Sequence, residues 1–450
     1  MESDIFAELA WRGLIHQTTE DTELPNWLRS ALRTVYVGFD PTADSLHVGS
    51  LLPLMLLRRF QRAGHRPIAL VGGATGMIGD PSGKSEERQL LSVESLESNV
   101  QGIEQQMRNF LDFDCGPRSA VLVNNFDWMS RFSYLDFLRD IGKNFPVNVM
   151  LAKDSVRGRL ERQDTGLSYT EFSYMLLQAY DFVYLFEHYG CELQAGGSDQ
   201  WGNITAGIDL ARRMRGAQLY GMTCPLLLDS QGEKIGKTAK GTKVWLSKQR
   251  TSPYLFYQYW RNIADSDAGM CLRYLTELDR AEIEALDESR RQDAGSRLSQ
   301  RRLAQELTRL VHGAEGLAAA ERATAVLFGG DMDGVDDNQL LEVFLDAPSH
   351  DLPRSALGSE GLGLLDAFVA AGLAGSKGEA RRLVQQGGAY VNNRRMADAD
   401  QRLTAADLAG RSVMVLRSGK KRYALLRFVD ENHRAAATGA AGQDSRGTRP

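Results

Sequence analysis

The run Thr34-Val35-Tyr36-Val37-Gly38-Phe39 is strand-like, and it passes through Asp40-Pro41 into a helix-like stretch over residues 49–63 that ends at Gly64. Pro67 to Val71 repeats the strand pattern and feeds a glycine-rich turn, Gly72-Gly73-Ala74-Thr75-Gly76. Ala120 to Asn124 offers a further strand. Strands separated by helical stretches predict a mostly parallel sheet covered on both faces. Ligands of such sheets lie at the carboxyl ends of the strands, where glycine lets backbone approach closely. The segment Asp40-Pro41-Thr42-Ala43-Asp44-Ser45-Leu46-His47-Val48-Gly49-Ser50 falls at such an end. There a helix N-terminus makes a natural anion site.

A second stretch, Lys234-Ile235-Gly236-Lys237-Thr238, is a glycine-centred loop with two lysines three residues apart. Its ordinary meaning is a solvated charged loop. As a mobile element it could also bring two point charges onto a polyphosphate. It does not match the phosphate loop GxxxxGK[ST]. Nor does Gly79 to Ser85, which ends in Gly-Lys-Ser but has Ile78 where that pattern needs its first glycine.

A net charge of −5 argues against a general nucleic-acid binder, but the sum hides an asymmetry. Between Ser376 and Phe428 there are 12 Lys/Arg against 4 Asp/Glu, a local charge of +8. A basic module on a mildly acidic body suggests a polyanion met by one part only, and RNA held by its phosphates suits it. Lys377, Arg381, Arg382, Arg394 and Arg395 are its candidate contacts; a merely solvated basic surface is the plainer alternative. Cys115, Cys191, Cys224 and Cys271 form no CxxC pair, so no disulfide scaffold or metal site is expected. The N-terminus reads as no signal peptide, and no apolar run is long enough to span a bilayer, which predicts a cytoplasmic protein without a membrane partner.

Tyr174, Gln178 and Asp181 are spaced i, i+4, i+7, so on a helix they share one face among apolar neighbours. Such a stripe either faces solvent or lines a pocket for a small zwitterion with a polar tip. Gly196-Gly197-Ser198-Asp199-Gln200 is a further glycine turn carrying a carboxylate and an amide. It suits a ribose hydroxyl or an ammonium, or is a plain turn with an Asp cap.

Three long segments carry a resemblance: Tyr36 to His47, Gly72 to Lys84 and Gly196-Gly197-Ser198-Asp199-Gln200-Trp201-Gly202-Asn203. With the lysine loop, they make the chain similar to bacterial-type tyrosyl-tRNA synthetases, a family of class I aminoacyl-tRNA synthetases, from about Phe6 to Val429. The class I His-Ile-Gly-His signature stands here as His47-Val48-Gly49-Ser50, and Lys-Met-Ser-Lys-Ser as Lys234-Ile235-Gly236-Lys237-Thr238.

The resemblance implies an α/β fold with three parts. A Rossmann-type catalytic, nucleotide-binding domain with a parallel sheet and a helical insertion (1–232) runs into the signature loop (233–247). An all-helical anticodon-binding domain (248–335) follows. After a linker (336–375) comes a small α+β RNA-binding domain (376–432); beyond it, the composition of 433–450, rich in Ala, Gly, Thr and Ser with little to bury, predicts a disordered tail. The same resemblance implies a homodimer, ATP accompanied by Mg²⁺, no tightly bound protein cofactor, and L-tyrosine and tRNA(Tyr) as partners. It places the tyrosine phenol between Tyr36 and Asp181, and the ammonium near Asp80, Tyr174 and Gln178. Asp40 and Gln200 complete the amino-acid pocket. Gly38, Thr42, His47, Gly49, Gly197 and Asp199 match ATP-contacting positions, with Lys234 and Lys237 on the phosphates. Lys84 and Arg88 are possible helpers in the loop after the glycine turn. The departure is Ser50, which replaces the second signature histidine. Activity is expected to survive, leaning more on His47 and the lysines. Rival readings are a nucleotidyltransferase for another small acid and an RNA-binding protein without catalysis. A nicotinamide oxidoreductase is disfavoured because the glycine turn is not GxGxxG.

Overall fold

The computed structural model describes residues 4–81, 92–153, 156–157, 167–238 and 241–430. Lys84, Arg88 and the tail 433–450 lie outside them. The chain divides into two units. One comprises the residues up to Ser252 together with Gln258–His312; the other comprises Pro253–Tyr257 and the residues from Gly313 onward.

The first unit is built on six strands: β1 (Gln17–Thr18), β2 (Thr34–Phe39), β3 (Arg66–Val71), β4 (Val121–Asn124), β5 (Leu193–Gly197) and β6 (Tyr220–Cys224). Their order is β1-β6-β5-β2-β3-β4, and all pairs are parallel except the antiparallel edge β1–β6. The chain winds outward from β2 through β3 to β4, then returns to the other side of β2 as β5. The crevice between β2 and β5 is therefore the topological switch point, where such sheets bind ligands. The sequence predicts the turn that follows β5 but not the strand itself. Leu193-Gln194-Ala195-Gly196-Gly197 is short and ends in two glycines, so burial on both faces fixes it rather than propensity.

Helix Leu51–Arg62 packs Leu54, Met55, Leu57 and Phe60 wholly inside, and helix Tyr169–Tyr189 buries Ala179, Phe182 and Val183. Phe182 meets Tyr36 of β2 edge-on at 5.3 Å between ring centroids.

Helices run from Pro253 to Leu327, as the sequence predicts, but they do not form one separate helical domain over 248–335. Residues 258–312 belong to the sheet unit. The buried guanidiniums of Arg12 and Arg59 donate to the carbonyls of Arg273, Tyr274, Thr276 and Leu278, at and just beyond the end of helix Asp265–Leu275. Arg58 adds an ion pair to Glu277 at 2.6 Å. Such buried charged donors tie the helices to the sheet unit. The helical pattern continues to Leu327 but is broken at Gly313, with φ 75° and ψ 179°.

In the second unit, the expected linker 336–375 is instead part of a folded domain. Strand β7 (Ser349–Pro353) pairs in parallel with β13 (Arg422–Val429), and β8 (Leu362–Gly363) pairs with β11 (Arg402–Leu403). The main sheet runs β10-β9-β12-β13-β7, with β9 at Ala389–Val391, β10 at Arg394–Arg395 and β12 at Val413–Ser418. Leu357, Leu364 and Phe368 from the supposed linker share one core with Leu416, Leu426 and Phe428. Hydrophobic burial across the whole stretch makes it one body.

Candidate active site

The carboxyl ends of β2 and β5 open into a cavity of about 570 Å³. Every amino-acid and ATP candidate drawn from the sequence lines it: Tyr36, Gly38, Asp40, Thr42, His47, Gly49, Ser50, Asp80, Tyr174, Gln178, Asp181, Gly197, Asp199, Gln200, Lys234 and Lys237.

At its inner end the carboxylate of Asp181 is buried. It accepts from Asn125 Nδ2 at 3.0 Å and from Trp128 Nε1 at 2.8 Å. Burial outweighs those two bonds and pushes its carboxyl up to about 7. The hydroxyl of Tyr36, also buried, has no hydrogen-bond partner among the described residues. Burial first, then the nearby Asp181 charge, hold that phenol protonated, its pKa raised well above the ordinary tyrosine value. A buried, unpaired hydroxyl is costly, so it marks a place where a ligand group belongs.

Two further networks surround the middle of the cavity. Asp40 accepts from Thr75 Oγ1 at 2.9 Å and from Tyr174 OH at 3.1 Å. Gly72 makes room for this: a Cβ there would stand 2.5 Å from Asp40 Oδ1. Asn203 Nδ2 donates to Gln178 Oε1 at 3.0 Å, Gln178 Nε2 to Gln200 Oε1 at 3.2 Å, and Gln200 Nε2 to Asp80 Oδ2 at 2.7 Å. These chains end on carboxylates, which presents acceptors to a cationic group.

At the outer end His47 stands at the start of a short helical turn, Val48–Ser50, where its Nδ1 accepts from the Gly49 N–H at 3.0 Å. Burial, then Lys243 and Lys234, lower its pKa to about 4. The ring is therefore neutral near pH 7, and with Nδ1 accepting, its proton sits on Nε2, a donor. Ser50 gives its N–H to the His47 carbonyl at 2.8 Å. Asp199 lines the same end; burial, then Asp80, raise its pKa while Lys234 opposes.

The lysine loop is laid along this segment by main-chain bonds. Val48 N–H donates to Val244 O at 3.0 Å, Leu246 N–H to Leu46 O at 2.9 Å, and Val244 N–H to Gly236 O at 2.9 Å. Gly236 has φ +127° and gives its N–H to Tyr259 OH at 2.8 Å. A side chain at that φ is strained.

Sequence reasoning misses Thr75, Asn125, Trp128, Asn203, Lys243 and Tyr259 as site residues. A signal exists for two of them: Asn125-Phe126-Asp127-Trp128 follows β4 at the carboxyl edge of the sheet, where such folds place ligands.

The RNA candidates lie in the second unit, on helix Lys377–Gln385 (Lys377, Arg381, Arg382) and on β10 (Arg394, Arg395). Three of the five have carboxylate partners: Lys377 with Asp366, Arg381 with Asp400, and Arg394 with Asp331 and Asp333. The basic face is therefore weaker than its composition suggests.

Residues 31–329 match the family described as tRNA synthetases class I (W and Y), and residues 344–426 match the tyrosine–tRNA ligase SYY-like C-terminal domain. A tyrosine–tRNA ligase of Rhodopirellula baltica is 60% identical over 428 residues, spanning 95% of this chain and 97% of that protein. The chain belongs to the bacterial-type tyrosyl-tRNA synthetases. A synthetase of the same description from Geobacillus stearothermophilus is 48% identical over 432 residues, covering 95% of this chain and all of that one. Among solved structures, a C-terminally truncated mitochondrial tyrosyl-tRNA synthetase of Aspergillus nidulans superposes with a TM-score of 0.64 at 30% identity. It covers 72% of this chain and 94% of its own.

Proposed function

We propose that the cavity seats L-tyrosine at its inner end and ATP at its outer end, and joins them as tyrosyl-adenylate. The activity is that of a tyrosine–tRNA ligase: ATP-dependent attachment of tyrosine to tRNA(Tyr), with release of pyrophosphate and AMP. The observation that carries the tyrosine assignment is the pairing of an unsatisfied Tyr36 hydroxyl with the buried Asp181 carboxylate in one apolar end. A phenol placed there donates to Asp181 and accepts from Tyr36.

The ammonium is then met by the Asp40–Tyr174 and Asp80–Gln200–Gln178 networks. The tyrosine carboxylate attacks the α-phosphorus, the bond to the bridging oxygen breaks, and pyrophosphate leaves with the electron pair. The carboxylate is already a nucleophile, so the protein's work is positioning and charge stabilisation. Thr42, His47 through its Nε2–H, Lys234 and Lys237 serve the phosphates. Gly38, Gly49, Gly197 and Asp199 fit the nucleoside, and Ser50 offers a hydroxyl in place of the second histidine. The tRNA 3′-terminal ribose then takes the tyrosyl group. Mg²⁺ would accompany ATP as part of the substrate, neutralising charge on its phosphates. Among the described residues no group of three or more His, Cys, Asp or Glu is arranged as a protein cage.

For tRNA, Lys377, Arg381, Arg382, Arg394 and Arg395 are the proposed phosphate contacts, with Arg382 and Arg395 the least compensated. A homodimer is supported by exposed apolar side chains at Tyr134, Leu135, Val147 and Tyr169. A cytoplasmic site of action follows from the substrates; no helix among the described residues is long and apolar enough to cross a membrane.

Amino-acid-dependent ATP–pyrophosphate exchange tests the reading. Tyrosine should support exchange and phenylalanine should not. Exchange driven by a different acid would favour another nucleotidyltransferase, and none with any acid would favour a catalytically silent RNA binder. Tyr259→Phe should slow exchange about fivefold, the value of one hydrogen bond of about 1 kcal/mol. Tyrosine affinity should be unchanged, because the lost bond holds only the loop at Gly236.

A further inference from the structure

We propose that Lys243 is a third cation of the ATP site, acting on the departing pyrophosphate beside Lys234 and Lys237; this rests on the adenylate-forming reading above. Lys243 lies outside the signature stretch, six residues after Lys237, and nothing in that pattern points to it. The fold nevertheless brings it back. Its backbone pairs antiparallel with Lys237, and its side chain lines the same cavity.

The peptide that carries it is fixed on both sides: Thr242, the residue before, accepts from Thr238 N–H at 2.8 Å. Val244, the next residue, donates to Gly236 O at 2.9 Å and accepts from Val48 N–H at 3.0 Å. Trp245 N–H is held by Thr251 Oγ1 at 2.9 Å. The Lys243 ammonium lies 5.4 Å from the centroid of the Trp245 ring, and the same ring meets the Arg250 guanidinium at 4.6 Å. Arg250 is in turn paired with Asp44 at 2.5 Å. Lys243 has no carboxylate partner among the described residues.

Three lysines gathered on one cavity repel one another unless an anion joins them. The charge of Lys243 is felt at His47, where it stands ahead of Lys234 among the charges that disfavour the imidazolium. A group with that reach acts on whatever the His47 Nε2–H touches. Negative charge grows on pyrophosphate as the bond from the α-phosphorus to the bridging oxygen breaks, and a pre-placed ammonium stabilises that growth.

The full-length chain carrying Lys243→Ala should show kcat for tyrosine-dependent exchange reduced about tenfold, with a raised KM for pyrophosphate. Its tyrosine Kd, measured without ATP, should be unchanged, and Lys243→Arg should recover most of the rate. The same alanine variant should raise the titration midpoint of the His47 imidazole, followed by NMR. Wild-type kcat and pyrophosphate KM in Lys243→Ala would overturn the assignment. So would an equal loss of tyrosine affinity, which marks a merely structural role. Absence of tyrosine-dependent exchange in the unmodified chain would instead overturn the adenylate reading itself.

Discussion

Asp181→Ala is expected to slow tyrosyl-adenylate formation and to erase most of the selectivity against phenylalanine. The side chain is 1% exposed, and both of its oxygens already accept bonds, from Asn125 and Trp128. In the proposed pose, tyrosine adds a phenol donor to Asp181 and an acceptor for Tyr36. Phenylalanine leaves both buried groups unmatched, at about 1–3 kcal/mol each and more where a charge is involved. Tyrosyl-tRNA synthetases are the known example of this kind of rejection, and its magnitude of about 10⁵ is an established property of that family. Alanine also orphans the Asn125 and Trp128 donors, so Asp181→Asn is the companion variant. Exchange assays with both amino acids decide it. If Asp181→Ala still rejects phenylalanine as strongly as the unmodified chain, the phenol does not sit there.

The same carboxyl predicts a pH dependence. With its pKa raised to about 7 by burial, Asp181 is largely protonated below that value and ionised above it. The ionised form is much the stronger acceptor for the phenol O–H. Tyrosine affinity should therefore fall as pH drops below 7, by up to tenfold per unit, and Asp181→Asn should flatten the profile. His47, neutral above about 4, does not contribute to this limb. Stability runs the other way. The folded chain keeps a proton that the unfolded chain releases near 3.8, so this group's contribution declines as pH rises from about 4 to 7.

Much of the site is legible in the sequence because it is written at strand ends. Asp40 and His47 lie in the segment after strand β2, and Asp199 in a glycine turn, at the carboxyl edge where sheets of this class place ligands. The 3.6-residue period sets Tyr174, Gln178 and Asp181 on one face. Asn125, Trp128, Thr75 and Asn203 are harder to read because they hold other site side chains rather than stand in a signature. The site partners that set them in place are 25 or more residues away in sequence, as with Asn125 and Asp181, 56 apart, and only Asn203 also has a near one, Gln200 three residues before it, so local spacing says little. Strand β7 escapes for a related reason. Ser349-His350-Asp351-Leu352-Pro353 has no alternating pattern, and its parallel partner β13 lies more than 70 residues on. The break at Gly313 lies inside a continuous helical pattern, where a single glycine is a weak stop signal.

Joint replacement of Lys234 and Lys237 by alanine is expected to lower adenylate formation by about 10³-fold or more, since one preorganised stabilising group is commonly worth about 10²–10³. The loop should remain in place. Its register is set by main-chain pairs, Leu228 with Lys234 and Lys237 with Lys243, and by Gly236 N–H on Tyr259, none of which needs a lysine side chain. Tyrosine binding should be retained, because the hydrogen bonds around Asp181, Tyr174 and Gln178 involve neither lysine. The loss should therefore fall on kcat, with tyrosine Kd unchanged. Groups that act as a unit on one departing anion do not add, so each single variant should lose nearly as much as the pair. If the double variant turns over at the unmodified rate in single-turnover measurements, charge stabilisation by this loop is not how the enzyme releases pyrophosphate. The rate would then rest on His47, Thr42, Lys243 and positioning.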